Sequence, residues 1–129
     1  MSEITLGILG GGQLGSMLSL AAKKINIKSI IYSDDKDAPA QNFCNEFIYG
    51  KYDNKEQIYD FVKKSNVITF EFENIPYETL NEISKIKSVY PKPSINRLIQ
   101  HRLAEKDFIN KLNIRTTRYV SIERKSDLD

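Results

Sequence analysis

The sequence predicts an α/β fold, a parallel sheet with helices on both faces. Two observations carry this. Short apolar runs rich in β-branched residues alternate with segments whose apolar residues recur at helical spacing. Between the first run and the first helical segment lies Gly10-Gly11-Gly12-Gln13-Leu14-Gly15, the kind of glycine turn that joins strand to helix in Rossmann-like sheets. At 129 residues the chain is long enough for one domain with a buried core.

Ile4–Leu9 reads as the first strand. From Gln13 to Lys24 the apolar residues Leu14, Met17, Leu18 and Ala21 recur at helical spacing, and Lys23 and Lys24 suit the negative end of the helix dipole. Lys28–Tyr32 is the second strand and ends at Ser33-Asp34-Asp35. Asp37-Ala38-Pro39-Ala40 opens a loop with a short helical turn reaching Asn45, and Glu46–Tyr49 is the third strand. Asn54 caps a helix that carries Ile58, Phe61 and Val62 on one face. Val67–Phe72 is the fourth strand; continued alternation would put Glu71 and Glu73 on one side and Phe70 and Phe72 on the other. Asn74 caps the next helix, with Pro76 in its first turn and Leu80 and Ile83 following. Val89-Tyr90 is a fifth strand, stopped by Pro91-Lys92-Pro93. Two helices, Ser94–Gln100 and Arg102–Leu112, precede a final strand at Thr116–Ile122. Ser126 or Asp127 would open a helix that the chain does not continue, so the sequence reads as the front part of something longer.

Composition excludes several function classes. Lys+Arg number 19 against 17 Asp+Glu, and no basic block with interleaved aromatics marks a nucleic-acid surface. The single cysteine, Cys44, rules out an internal disulfide or a Cys-clustered zinc, and reads as a small buried apolar residue. No basic segment followed by a long apolar run opens the chain, and no run reaches ~18 apolar residues, so neither a signal peptide nor a membrane span is expected. A soluble, cytoplasmic protein is the expectation.

The glycine turn has a clear physical use. Glycine permits positive φ and close backbone approach, and a helix N-terminus offers unpaired N–H groups where an anion or polar ligand edge can dock. The same turn can also bind nothing. Dinucleotide-binding folds place an acid at the end of the second strand, and Asp34 stands there, although it also suits a solvated turn beside Asp35 and Asp37. On these residues alone a nicotinamide-binding module remains open. The strand ends of such a sheet should bring the glycine turn, Asp34 and the acids of Phe70-Glu71-Phe72-Glu73-Asn74 to one crevice.

Four segments, GGGQLGSML, DDKDAPA, TFEFENIP and QHRLAEKDF, taken in this order, resemble the front of the ATP-grasp family, and within it the synthetases that carboxylate 5-aminoimidazole ribonucleotide. The resemblance runs from about Thr5 to Val120. It implies a pre-ATP-grasp domain whose glycine loop binds no NAD but helps form the pocket of the ribonucleotide acceptor. It implies an ATP-dependent ligase of de novo purine biosynthesis: bicarbonate attacks the γ-phosphate of ATP, and the exocyclic amine of the ribonucleotide captures the carboxyl group from carboxyphosphate. Magnesium bridges the ATP phosphates. The implied partners are the ribonucleotide, ATP and bicarbonate, with a homodimer of the full-length parent.

The resemblance also implies roles residue by residue. Gln13 and Leu14 match positions that contact the ribonucleotide, on the loop formed by Gly10, Gly11, Gly12 and Gly15; otherwise Gln13 caps the helix and Leu14 packs inward. Glu71 matches a carboxylate that reaches the ribonucleotide, and as an acceptor it suits an edge rich in donors; otherwise it and Glu73 are solvated acids. Arg102 matches a position that touches ATP, where a guanidinium can bridge phosphate oxygens; otherwise it pairs with Glu105 or Asp107 on the surface. The family usually has Asp before this Arg, and this chain has His101, its only histidine and no metal ligand by itself. Lys106 reads as structural or solvated, and Pro39 as shaping its loop. No catalytic residue and no metal ligand is assigned; the lysines that hold ATP, the glycine-rich lid and the magnesium carboxylates would lie beyond Asp129, so the fragment alone should be inactive.

The expected division is residues 1–93 as the Rossmann-like pre-ATP-grasp domain and 94–129 as a helical linker with the start of the ATP-grasp domain. Two other readings stand beside it: an NAD-binding oxidoreductase domain using Gly10, Gly12, Gly15 and Asp34, and a non-catalytic regulatory module. The formate-using cousin and biotin carboxylase share the layout; FEFEN favours the aminoimidazole enzyme.

Overall fold

The structure, a computed structural model, describes residues 4–128. Five strands form one parallel sheet: β1 (Thr5–Leu9), β2 (Lys28–Ser33), β3 (Glu46–Tyr49), β4 (Val67–Phe70) and β5 (Val89–Tyr90). Their order is β3-β2-β1-β4-β5. The chain winds outward from β1 in one direction, then returns to its other side at β4. That reversal opens a crevice at the carboxyl end of β1, where the glycine turn sits. The helices are α1 (Gln13–Lys24), α2 (Lys55–Lys64), α3 (Tyr77–Ser84), α4 (Pro93–Ile99) and α5 (Arg102–Lys111). Short 3-10 turns cover Pro39–Asn42, opened by Pro39 as expected, and Lys125–Leu128.

The strands sort their side chains by a period of two. Leu9, Ile30 and Tyr32 pack on one face with Phe61 and Val62 of α2 and Leu80 and Ile83 of α3. Ile8 and Ile31 pack on the other face with Ala40. This second face is thin because α1 lies close to the sheet.

The close approach sets which face of α1 is buried. The buried residues are Gly15, Ser16, Ser19 and Ala22, whereas Leu14 and Met17 are 53% and 56% exposed. A Cβ at position 15 would lie 2.8 Å from the Gly10 carbonyl oxygen. Only small side chains fit at the closest approach, so Leu14 and Met17 are turned outward, while Leu18 packs at the edge of this face.

Three further expectations change. β4 stops at Phe70 rather than Phe72, because β1 ends at Leu9, directly opposite Phe70. Asn54 does cap α2, its Oδ1 accepting the Gln57 N–H at 3.2 Å, but Asn74 caps nothing: α3 begins only after Pro76, which occupies the cap position. Thr116–Ile122 forms no strand among the described residues. A strand exists by pairing its backbone, and this segment is instead held by side chains of α5. Asn110 Nδ2 donates to Thr116 Oγ1 (3.1 Å), Lys106 Nζ to Thr117 Oγ1 (3.1 Å), and the Tyr119 hydroxyl to Asp107 Oδ1 (2.5 Å). Near the C-terminus Asp127 Oδ2 accepts the amides of Glu123 and Arg124, closing a turn rather than capping a helix.

Candidate functional site

The site grows from the end of β1. Gly10 adopts φ +102°, a conformation L side chains rarely take, and donates its N–H to Tyr32 O at 2.9 Å. The chain then turns so that the Gly12 N–H points at Glu71, and Glu71 Oε1 accepts it at 3.0 Å. Glu71 holds this place because its own N–H donates to Leu9 O (3.1 Å), extending the ladder by one bond before the chain bends. The carboxylate lies so close that a Cβ at position 10 would meet it at 2.5 Å. Gly11 is buried, against Ala38 and Ser33.

Gly12 caps α1 by its backbone, with no side-chain cap. The amides of Gln13, Leu14 and Gly15 find no acceptor among the described residues. Gln13 is exposed and does not cap the helix, and Leu14 does not pack inward. The glycine turn, Gln13, Leu14 and Glu71 therefore share one rim. A carboxylate here is stabilised by the positive end of the helix and by a charge-assisted hydrogen bond. It also repels another anion from the same donor.

Asp34 is exposed at the end of β2. Its neighbours form a compact turn, with Asp35 N donating to Ser33 Oγ (3.2 Å) and Asp37 N to Asp35 Oδ1 (2.9 Å). Glu73 does not follow Glu71 into the rim, because β4 has already ended. It borders a separate cavity of about 290 Å³ with Asn74, Ile99, Gln100, Arg102 and Glu105. The expected pair of acids on one face is thus a single acid, Glu71.

Arg102 lies at that second cavity. Its side chain is 83% exposed and pairs with Glu105 Oε2 at 2.9 Å. An exposed pair of this kind contributes at most about 1 kcal/mol and can be exchanged for another anion. His101 caps α5, its Nδ1 accepting the Ala104 N–H at 3.3 Å. Lys106 Nζ also stands 5.4 Å above the Tyr119 ring, a structural placement. Cys44 is half-buried rather than buried, and burial raises its thiol pKa, which keeps it from acting as a nucleophile.

Residues 3–100 match the family described as the ribonucleotide synthetase preATP-grasp domain.

The chain belongs to this preATP-grasp family.

Among its relatives, the N5-carboxyaminoimidazole ribonucleotide synthase of Staphylococcus haemolyticus is 35% identical over 125 residues, 97% of this chain and 33% of that protein. The crystal structure of N5-carboxyaminoimidazole synthetase from Staphylococcus aureus complexed with ADP superposes with a TM-score of 0.89 at 30% identity, covering 98% of this chain and 35% of the other. The N5-carboxyaminoimidazole synthase of Aspergillus clavatus, in complex with ADP and 5-aminoimidazole ribonucleotide, gives 0.76 at 27% identity over 87% of this chain and 30% of that one. The chain spans about a third of the length of these relatives. This chain has the parallel sheet and glycine turn that dinucleotide binders also use, and here a glutamate fills the turn.

Sequence reasoning missed two features of the site. Helix α4 clamps the loop after β4: buried Asn96 donates through Nδ2 to Ile75 O (2.9 Å), and Gln100 Nε2 donates to Glu73 O (2.7 Å) and Ile75 O (2.8 Å). Nothing in apolar periodicity marks amides that bond to main chain. The second feature is Tyr52, an aromatic in the polar stretch Gly50-Lys51-Tyr52-Asp53-Asn54. That mismatch was the available signal. Tyr52 is only 7% exposed and packs on Tyr32, with ring centroids 5.8 Å apart.

Proposed function

We propose that this chain is the acceptor-binding front of an ATP-dependent ligase that carboxylates 5-aminoimidazole ribonucleotide with bicarbonate in purine biosynthesis. The observation that carries the reading is the Glu71–Gly12 contact. With the carboxylate seated in the glycine turn, the rim offers an acceptor beside the free amides of Gln13 and Leu14. A ribose joined to an aminoimidazole presents hydroxyl and N–H donors to Glu71 and oxygen acceptors to the amides. The pyrophosphate of NAD would meet a negative charge at the donor it needs, which counts against an oxidoreductase. Relatives of similar fold carry ADP, and one carries the ribonucleotide as well, which supports the same ligands for the whole protein.

In this reading Gln13, Leu14 and Glu71 hold the acceptor, while Arg102 exchanges Glu105 for an ATP phosphate. ATP phosphorylates bicarbonate to carboxyphosphate, releasing ADP, and the ribonucleotide amine takes the carboxyl group as inorganic phosphate leaves. Among the described residues no three His, Cys, Asp or Glu side chains come together as a metal cage. Magnesium would arrive bound to the phosphates of ATP. Residues 1–93 form the acceptor unit and 94–129 the linker and the start of the ATP-grasp unit, with α4 of the linker tied back through Asn96 and Gln100. Among the described residues no helix is long and apolar enough to cross a membrane; a cytoplasmic homodimer is part of the proposal.

The test is a binding titration of the chain with the ribonucleotide and, separately, NADH. The ribonucleotide should bind, Glu71→Ala should weaken it at least tenfold with the fold intact, and NADH should not bind. Tight NADH binding would instead revive the oxidoreductase reading.

A further inference from the structure

Past the end of β4 the chain has little backbone bonding of its own. Glu71 donates its N–H to Leu9 O, and between residues 72 and 75 the one backbone bond among the described residues runs from Ile75 N to Phe72 O at 3.5 Å. A contact that long is weak. Yet this bend presents Glu71, whose carboxylate has to stay in reach of the Gly12 N–H, 3.0 Å away. A segment so thinly bonded needs partners from elsewhere to keep one conformation.

The partners come from α4. Asn96, fully buried, donates through Nδ2 to Ile75 O at 2.9 Å. Gln100 Nε2 donates to Ile75 O at 2.8 Å and to Glu73 O at 2.7 Å. The two side chains are not equivalent. Ile75 O keeps one donor when the other is removed, whereas Glu73 O accepts from Gln100 alone among the described residues. Glu73 is also the nearer of the two carbonyls to Glu71 along the chain. Gln100 closes α4, and His101 and Arg102 follow directly at the start of α5. Gln100, Glu73 and Arg102 line one cavity of about 290 Å³.

We propose that Gln100 is a positioning residue of the acceptor site: by holding the Glu73 carbonyl it fixes the bend that seats the Glu71 carboxylate on the glycine turn. A glutamine amide suits the task, because one nitrogen carries two N–H donors for two carbonyls. Only the effect on binding rests on the reading of the rim as a ribonucleotide site. The effect on the Glu71–Gly12 contact stands without it.

Gln100→Leu keeps the reach of the side chain and removes the donors, and Gln100→Lys restores donors of similar reach. The experiment measures amide hydrogen exchange of the ligand-free chain at Gly12, with buried Ile31 of β2 as the control. Beside it runs an NMR titration with 5-aminoimidazole ribonucleotide. In Gln100→Leu, exchange at Gly12 should be about tenfold faster, well beyond any change at Ile31. Affinity for the ribonucleotide should be about fivefold weaker. Gln100→Lys should lie close to wild type in both. A glutamine that served stability alone would speed Gly12 and Ile31 together. Equal acceleration at the two amides, unchanged exchange at Gly12, faster Gly12 exchange with unchanged affinity, or no recovery in Gln100→Lys would each overturn the role of Gln100. Failure of wild type to bind the ribonucleotide would overturn the reading of the rim, and the exchange results would still decide whether Gln100 seats Glu71.

Discussion

Glu71 acts as both plug and acceptor. Replacing it by Gln keeps the size and an oxygen for the Gly12 N–H but removes the charge. Glu71→Gln should therefore fold as well as wild type and bind the ribonucleotide about tenfold more weakly, as followed by titration; unchanged affinity would show that the charge is idle. The contact was half legible in the sequence. Glycine spacing and an acidic strand end are visible, but their meeting depends on β4 stopping one residue before Glu71, which follows from the length of β1. His101 was not legible as a cap, since imidazole is a poor N-cap and the position was judged by its neighbour Arg102. Asp is among the best N-caps and adds a negative charge at the helix start. His101→Asp should stabilise α5 by about 0.5–1 kcal/mol, measured as slower amide exchange at Ala104; faster exchange would contradict the cap.

Helix α1 is the element where apolar pattern and structure part. The periodicity of Leu14, Met17, Leu18 and Ala21 marks a helix correctly, yet the buried stripe is Gly15, Ser16, Ser19 and Ala22. The pattern shows that a helix forms; only the distance to the sheet decides which face is inside. Ser19 Oγ is buried without a partner. Ser19→Ala should leave the melting temperature unchanged or raise it, because it removes an unpaired hydroxyl at little change of volume. Gly15→Ala should cost about 1–3 kcal/mol by driving a methyl against the Gly10 carbonyl. Leu14→Gln should stay within about 0.5 kcal/mol of wild type. A large loss in Leu14→Gln with tolerance of Gly15→Ala would turn the helix over. The other α/β elements were legible because each couples an apolar face to a stop signal. The segment Thr116–Ile122 has strand composition without a strand beside it, and composition alone cannot supply one.

At the scale of the molecule, a sheet that winds one way from β1 and then returns to its other side gathers the site at one edge. Tyr32 ties that edge to the core. Its hydroxyl donates to Lys51 O at 2.7 Å, and its pKa is raised from 10.0 to about 12, by burial first and then by Asp53 and Asp34. The folded state holds this proton more tightly than the unfolded chain, so the stability it contributes is complete below pH 10 and is lost as pH rises toward about 12. Denaturant melts across this window should show that decline, and Tyr32→Phe should lessen its slope. A chain covering about a third of its relatives should also release no phosphate from ATP with bicarbonate and ribonucleotide. Robust turnover by this chain would contradict the assignment of the catalytic groups elsewhere. The most direct measurement follows the Gly12 amide by NMR while the chain is titrated with 5-aminoimidazole ribonucleotide and, in parallel, with NADH. The account predicts that the ribonucleotide moves the Gly12 and Gln13 signals and NADH leaves them in place. Saturable movement of Gly12 by NADH, with none from the ribonucleotide, would contradict it.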